Sequence, residues 1–302
     1  MSQLVVSVPT QAEFNYVSQF DVEPVLWQVD SPPPRGDLDM VVSPYVFDPV
    51  RLSHLQGLKP RLIQLASIGF DGVAANAPAG LTIANAATVH ETATAELTLA
   101  LILAAQRGLP RMVHSQRRHE WDRFRVAGLA DSTVLIVGVG GVGTAIADRL
   151  DPFEVTIVRA ASRERDDARG HIYSTAQLPE LLPTADVVVL AVPLTDSTYH
   201  LANDEFFAQM PDGSLFVNIA RGKVADTQAM AAAAGRIRVA LDVVDPEPLP
   251  SDSPLWDNPA VLIAPHLGGW SAAQFPRHNA LLGRQIRHLL AGEAPENVVV
   301  ES

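Results

Sequence analysis

Three polar side chains that can do acid–base and anion-binding chemistry follow three apolar segments in the second half of the chain. Arg221 follows LFVNIA, Glu247 follows RVALDVV, and His266 follows AVLIAP. An imidazole can donate a proton to a carbonyl oxygen that gains negative charge, and a nearby carboxylate favours the charged imidazole. A guanidinium can bind a carboxylate through two parallel hydrogen bonds. These residues are therefore candidates for proton transfer and for binding an anionic ligand.

A glycine-rich loop lies upstream of these residues. Gly138, Gly140 and Gly143 form G-x-G-x-x-G, directly after the apolar run VLIV and at the start of an Ala-rich segment. In this context the first glycine permits a tight turn, the second lets the backbone approach a pyrophosphate, and the third allows close helix–strand packing. The N–H groups of Gly141 and Val142 would then face the phosphates. The alternative is a tight turn without a ligand.

The residues after the next predicted strand bear on the choice of nicotinamide cofactor. An Asp or Glu about 20 residues after the glycines would bind the ribose 2′-hydroxyl. This chain has Arg159 instead, followed closely by Ser162 and Arg163. Because a guanidinium can grip a 2′-phosphate, these residues favour NADP(H). The alternative is that the arginines are solvated surface charges in a protein that uses NAD(H).

Short apolar runs alternate with helix-length segments in both halves of the chain, which is typical of βαβ units and parallel sheets. We predict one series of strands at residues 4–8, 39–44, 61–66 and 81–85. We predict a second series at residues 132–138, 154–159, 186–193, 213–220, 238–244 and 260–265. One long apolar helix is expected from Val89 to about Trp121, and an amphipathic helix after Ser271. Because ligands bind beyond the carboxyl ends of parallel strands, the three polar side chains should converge there.

The expected fold class is α/β, with two doubly wound parallel-sheet domains. A Rossmann cofactor domain should be continuous over residues 89–270. A flavodoxin-like substrate domain should combine residues 1–88 with residues 271–302, with the active site in the cleft and cleft closure excluding water. The helix from Val89 predicts a homodimer, because an exposed apolar face would be costly in water.

Composition excludes several other classes of function. With 22 basic and 34 acidic residues the formal net charge is −12, which disfavours nucleic-acid binding. The absence of cysteine excludes disulfides, a thiolate nucleophile and a thiolate zinc site, and fits a reducing cytoplasm. The N-terminus lacks the pattern of a signal peptide, and the most apolar run, residues 97–105, is too short to cross a bilayer. The eight histidines other than His266 show no metal-ligand spacing, so no metal site is predicted.

Over nearly its whole length the chain resembles the D-isomer-specific 2-hydroxyacid dehydrogenases. The resemblance is carried by LASIGFDGV (65–73), VHETATAELTLALIL (89–103), the glycine loop, AVPLTDSTYHLAN (191–203), VNIARG (217–222), LDVVDPEPLP (241–250) and APHLGG (264–269). It implies that His266 is the catalytic acid/base, Glu247 its carboxylate partner and Arg221 the substrate-binding arginine. It also implies that backbone amides around Ile68 and Gly69 hold the substrate carboxylate. Further cofactor contacts are implied for Asp242, at the nicotinamide carboxamide, and for Val192, Pro193, Ala220, His266 and Gly268.

Departures from related patterns narrow the expected substrate. The related formate dehydrogenases have Gln at the position of Glu247, and phosphite-oxidising enzymes have Lys near the position of Ile68. The arginines after the glycine loop resemble those of glyoxylate and hydroxypyruvate reductases, so reduction of a small 2-oxo acid with NADP(H) is favoured. The alternatives are an NAD-dependent dehydrogenase acting, for example, on 3-phosphoglycerate, and a dinucleotide-sensing binding protein without turnover. Trp270, four residues past His266, is a candidate to line the substrate pocket.

Overall fold

The computed structural model describes residues 3–301, which form two compact units. One unit contains the described residues up to His90 and those from Ala272 onward, and the other is Glu91–Ser271. In chain order the elements are β1 (Leu4–Val8), α1 (Gln11–Val17), β2 (Val22–Leu26), β3 (Met40–Val42), β4 (Leu62–Gln64), α2 (Val73–Asn76), β5 (Ile83–Ala84), α3 (Glu91–Arg107), α4 (Leu109–Arg117), β6 (Thr133–Val137), α5 (Gly141–Leu150), β7 (Thr156–Ala161), β8 (Arg165–Asp167), β9 (Gly170–Ser174), α6 (Leu178–Leu181), β10 (Val187–Leu190), α7 (Asp204–Gln209), β11 (Leu215–Asn218), α8 (Thr227–Ala233), β12 (Arg238–Leu241), β13 (Val261–Ile263), α9 (Gln274–Ala291) and β14 (Val298–Val300).

The first unit is built on a six-stranded sheet with the order β14-β5-β4-β3-β1-β2. Its parallel strands follow the order 2-1-3-4-5 of flavodoxin-like folds, and β14 adds an antiparallel edge beside β5. The five residues of β1 are all buried, as expected for a parallel strand covered on both faces. Helix α9 packs its apolar face on this sheet through Leu282, Ile286 and Leu289.

The second unit is built on an eight-stranded sheet with the order β13-β12-β11-β10-β6-β7-β9-β8. All pairings are parallel except the β8–β9 hairpin. Strand β6 pairs with β7 on one side and with β10 on the other. The order of the strands therefore reverses beside β6. Helices cover both faces and bury two apolar clusters against the sheet. Dinucleotides bind beyond the carboxyl ends of strands at such a reversal point.

The predicted α/β class is confirmed, but several elements differ from the expectation. The long helix is broken at Gly108, where φ is +66°, and α4 begins at Leu109 with Pro110 in its first turn, so α3 and α4 replace the single helix. Strand β7 extends to Ala161, two residues beyond the predicted end. Strand β2 was missed because it contains Pro24. The hairpin of β8 and β9 was missed because its residues do not alternate between apolar and polar types.

The exposed large apolar side chains of this region lie after α3 rather than on it. The leucines of α3 are buried or pack partly against the core. Leu109, Met112 and Val113 on α4 are 40–48% exposed, and Trp121 beyond it is 88% exposed. Within the described residues, no helix combines the length and apolar character needed to span a membrane.

Candidate active site

The carboxyl ends of four neighbouring strands in the second unit meet at one edge of its sheet. Leu190 at the end of β10 is in register with Asn218 of β11, which in turn is in register with Leu241 of β12. Leu241 then pairs with Ile263 of β13. The loops that follow these strands therefore start side by side, and they carry the predicted catalytic residues.

The Arg221 loop is shaped by the buried amide of Asn218, which is 1% exposed. Its Oδ1 accepts a hydrogen bond from Ala220 N at 3.0 Å, and its Nδ2 donates to Arg221 O at 3.0 Å. The Arg221 guanidinium donates to Ala220 O at 2.6 Å. Asn218 was missed as a site residue, although a polar residue inside the apolar run LFVNIA is the signal that could have identified it.

The Arg221 loop lies directly against the loop that carries Glu247. A Cβ added to Gly222 would lie 1.8 Å from Val244 O. In addition, Thr227 Oγ1 donates to Asp245 O at 2.9 Å. Backbone contact thus sets the relative position of the guanidinium-bearing and carboxylate-bearing loops.

His266 and Glu247 form a direct pair. His266 Nδ1 lies 2.5 Å from Glu247 Oε1, with the side chains 46% and 40% exposed. Because the carboxylate only accepts, Nδ1 carries the proton, which leaves Nε2 for proton exchange with a ligand. The backbone of His266 has φ of +55°, an uncommon conformation for a side chain of this size.

The buried carboxylate of Asp242 holds the loop that carries His266. Asp242 Oδ1 accepts from Leu267 N at 2.6 Å and Oδ2 accepts from Gly268 N at 2.9 Å. Asp242 O also accepts from His266 N at 2.8 Å. Burial raises the pKa of the Asp242 carboxyl, and the two N–H donors oppose that shift. Asp242 is 2% exposed, so the structure gives it an anchoring position, and its contact with a nicotinamide carboxamide stays a prediction.

Gly268 is needed here because an added Cβ would lie 2.8 Å from Asp242 Oδ2.

The glycine loop has the shape that a dinucleotide requires. Gly138 has φ of +108° and donates its N–H to Ala160 O, and a Cβ at Gly143 would lie 1.8 Å from Gly138 O. A Cβ added at Gly140, in contrast, meets no atom within 4 Å. The N-cap residue of α5, Gly140, has no side chain to cap the first turn, so the amides of Gly141 and Val142 at its start are available to phosphate. The Glu91 side chain lies close to Gly141.

The segment after β10 lies beside this loop. A Cβ at Gly138 would be 2.3 Å from Ala191 O, which places Val192 and Pro193 next to the glycine loop. Val192 is 8% and Ala220 5% exposed, and Pro193 O accepts a hydrogen bond from Thr198 Oγ1 at 2.6 Å. The two loops that were predicted to contact the cofactor are therefore neighbours in this unit.

The structure corrects the predicted role of Arg159. This residue pairs with Ile136 inside β7, two residues before the end of the strand, and is 7% exposed. Its guanidinium makes two hydrogen bonds to Asp167, at 2.8 and 2.7 Å, and a third to Gly170 O at 2.9 Å. Arg159 therefore ties β7 to the β8–β9 hairpin and is not placed to grip a 2′-phosphate. Ser162 and Arg163 are exposed directly after the strand, where a ribose-binding residue is expected.

Two predicted substrate contacts, Ile68 and Gly69, lie in the first unit, in the loop after β4. Both are half-buried. Ile68 O accepts from Asn85 Nδ2, and Gly69 O accepts from Ser67 Oγ, each at 2.8 Å. Trp270 belongs to the second unit and is 57% exposed, so its contact with a substrate stays a prediction.

The fold and these loops define a class, the two-domain α/β proteins that bind a nicotinamide dinucleotide. Residues 99–268 match the model of the NAD-binding domain of D-isomer specific 2-hydroxyacid dehydrogenases. The chain belongs to this family of NAD(P)-dependent 2-hydroxyacid dehydrogenases and reductases, as the resemblance predicted.

Relatives in the family differ in the activity their names give. The chain is 31% identical to the glyoxylate reductase/hydroxypyruvate reductase of Homo sapiens, over 94% of this chain and 92% of that protein. It is 34% identical to the D-3-phosphoglycerate dehydrogenase of Methanocaldococcus jannaschii over 80% of this chain, which spans 48% of that longer protein. A D-isomer specific 2-hydroxyacid dehydrogenase from Xanthobacter autotrophicus, solved with NADPH and MES, superposes with a TM-score of 0.81 at 25% identity, covering 99% of this chain and 98% of that one.

Proposed function

We propose that the protein reduces a small 2-oxo acid, such as glyoxylate or hydroxypyruvate, to the corresponding 2-hydroxy acid with NADPH. The observation that carries this proposal is the pair of His266 and Glu247 at 2.5 Å beside the Arg221 loop. A protein that only sensed dinucleotide would have no need of a proton donor with a carboxylate partner at this edge of the sheet.

The chain's own residues account for the acid–base half of the reaction. When bound, the reduced nicotinamide supplies a hydride to the carbonyl carbon. As negative charge develops on the carbonyl oxygen, His266 Nε2–H donates its proton and the oxygen becomes the hydroxyl group. Glu247 stabilises the imidazolium through Nδ1–H and holds the ring in orientation, as a carboxylate does in other imidazole-based sites. Arg221 binds the substrate carboxylate and polarises the carbonyl.

The cofactor would be held by the second unit. The open side of Gly140 and the uncapped start of α5 fit a pyrophosphate. The support for a preference for NADPH over NADH comes from Ser162 and Arg163, which are exposed after β7, and not from Arg159. A guanidinium at position 163 attracts a 2′-phosphate, and the first two residues after β7 carry no carboxylate for the 2′-hydroxyl of NAD(H). The next residue, Glu164, pairs with His171 at 3.2 Å.

The test is turnover of glyoxylate and hydroxypyruvate with NADPH and with NADH, followed by the absorbance of the reduced nicotinamide. We expect turnover with NADPH favoured, and we expect Arg163→Ala to lower kcat/KM for NADPH much more than for NADH. Arg159→Lys serves as the comparison and should leave the NADPH/NADH ratio unchanged. A wild-type preference for NADH would refute the cofactor assignment, and the absence of turnover with any 2-oxo acid would refute the reductase.

The second candidate is an NAD-dependent dehydrogenase of 3-phosphoglycerate, which the 34% identity to the Methanocaldococcus jannaschii enzyme favours. Oxidation of 3-phosphoglycerate with NAD, measured beside the reductions, separates the two. For that substrate a phosphate-binding cation would be needed in addition to Arg221, so higher efficiency with phosphoglycerate than with glyoxylate would select the second candidate.

We also propose that the protein is a homodimer. The support is the exposure of the large apolar side chains of Leu109, Met112 and Val113 on α4 and of Trp121 beyond it, since exposed apolar surface is commonly covered by a partner. Light scattering on the purified protein should give the mass of two chains. The double substitution M112D/V113D should yield monomers, and a wild-type monomer would refute the proposal.

A further inference from the structure

We propose that His90 is a positioning residue that holds the loop from Ala66 to Gly69 in the conformation that binds the substrate carboxylate. The inference rests on the proposed function, because that function assigns the carboxylate to the amides of Ile68 and Gly69. His90 lies at the end of the segment that leads from β5 into α3.

The contact that carries the inference is a buried hydrogen bond. His90 is 3% exposed, and its Nε2 lies 2.7 Å from Ala66 O. Because a carbonyl oxygen only accepts, Nε2 carries the proton, and the tautomer is set by this bond. The imidazole ring packs beside the ring of Tyr45, with 5.1 Å between their centroids. The ring therefore cannot turn away without leaving a buried carbonyl oxygen without a partner.

Every carbonyl group of the loop is bound in a similar way. Ser67 O accepts from Ala86 N at 2.9 Å, while Ile68 O and Gly69 O accept from Asn85 Nδ2 and Ser67 Oγ. The peptide that leads into the loop is also held, because Ala66 N donates to the buried Ser43 Oγ at 3.1 Å. The loop thus has no freedom to rotate a peptide unit without breaking a hydrogen bond.

The amides of the same loop are left for a ligand. Within residues 3–301, the N–H groups of Ser67, Ile68 and Gly69 donate no hydrogen bond to the protein. Three successive N–H groups without an acceptor are donors for an anion. At the start of this loop, His90 anchors the carbonyl group of Ala66, which precedes the first of these N–H groups. We therefore assign His90 to the affinity for the carboxylate and not to the proton transfer, which belongs to His266.

The experiment compares His90→Leu, which removes the donor, with His90→Gln, which keeps an N–H donor on a side chain of similar length. His54→Leu, at a half-buried histidine of the same unit, is the matched control. The readouts are KM and kcat for glyoxylate at saturating NADPH, the Kd of NADPH, and the Kd of oxalate, a dicarboxylate that cannot be reduced, by calorimetry.

For His90→Leu we expect KM for glyoxylate and Kd for oxalate to rise together by about tenfold, the effect of one lost buried hydrogen bond. We expect kcat and the Kd of NADPH to stay at the wild-type values, and His90→Gln to recover most of the loss. The inference is overturned if His90→Leu binds oxalate as the wild type does. It is also overturned if kcat, KM and the Kd of NADPH change together in both His90 variants, since that pattern indicates a general role in folding.

A second variant keeps the test independent of the folding of His90→Leu. Ser43→Ala removes the acceptor of Ala66 N and should produce the same rise in KM and in the Kd of oxalate, with kcat retained. Failure of the proposed function has a separate signature. If the wild type turned over no 2-oxo acid, the reductase would be refuted, while oxalate binding by wild type and variants would still decide the role of His90.

Discussion

Replacing Gly222 by alanine tests whether backbone contact between two loops sets the catalytic geometry. The added Cβ would lie 1.8 Å from Val244 O, whereas real Cβ atoms essentially never come within 3.0 Å of another heavy atom. The loops must therefore separate by at least 3.0 − 1.8 = 1.2 Å. Because a misplacement of about 1 Å can reduce a rate about 100-fold, we expect kcat/KM for the 2-oxo acid to fall about 100-fold.

The assay is steady-state reduction of glyoxylate, together with circular dichroism and thermal unfolding to confirm that the variant is folded. The matched control is Gly36→Ala, because a Cβ at Gly36 meets no atom within 4 Å and its φ lies outside the range that side chains avoid. We expect the control to keep full activity and the Kd of NADPH to be unaffected in both variants. A folded Gly222→Ala protein with wild-type kcat/KM would refute the reasoning.

Three further substitutions test other contacts. The hydrogen bonds from Arg159 lower the pKa of the Asp167 carboxyl from 3.8 to about 2. The stability that these bonds add is therefore complete above pH 3.8 and is lost as the pH falls through 2. The melting temperatures of Asp167→Asn and wild type should differ at neutral pH and converge near pH 2. Gln285→Leu leaves the buried Gln64 Oε1 and the half-buried Glu296 N–H without partners and should lower the free energy of unfolding by about 2–3 kcal/mol in urea titrations. An unchanged midpoint would contradict this. Glu247→Gln removes the charge that stabilises the His266 imidazolium and should lower kcat/KM about 10- to 100-fold. The Kd of NADPH should stay at the wild-type value, and a change in it would contradict a role confined to the imidazole.

Much of the fold could be predicted because the strands of a parallel sheet are local apolar runs. Strands β1 and β10 are buried along their length, and β6 is buried after its first residue, so these strands stand out without knowledge of their partners. The pairing of His266 with Glu247 could also be expected, since both residues follow strands that are neighbours in the sheet. The break at Gly108 was missed, although Gly108 and Pro110 are residue types that commonly end one helix and begin the next.

The position of Arg159 could not be predicted from local pattern. Where β7 ends depends on its pairing with β9, which joins Ala160 to Tyr173. The partner that occupies the guanidinium, Asp167, lies on a charged hairpin without a strand-like pattern. The anchoring position of Asp242 was missed for a similar reason, since hydrogen bonds from backbone N–H groups leave no trace in the side-chain pattern.

The attachment of the His266 loop to Asp242 through three backbone N–H groups has a practical consequence. The scaffold under the imidazole does not depend on the imidazole itself, so His266→Ala should remain folded while losing turnover. Such an inactive protein could be crystallised with dinucleotide and a series of unreacted acids. The fit of each acid in the electron density would then identify the natural substrate without reliance on rates.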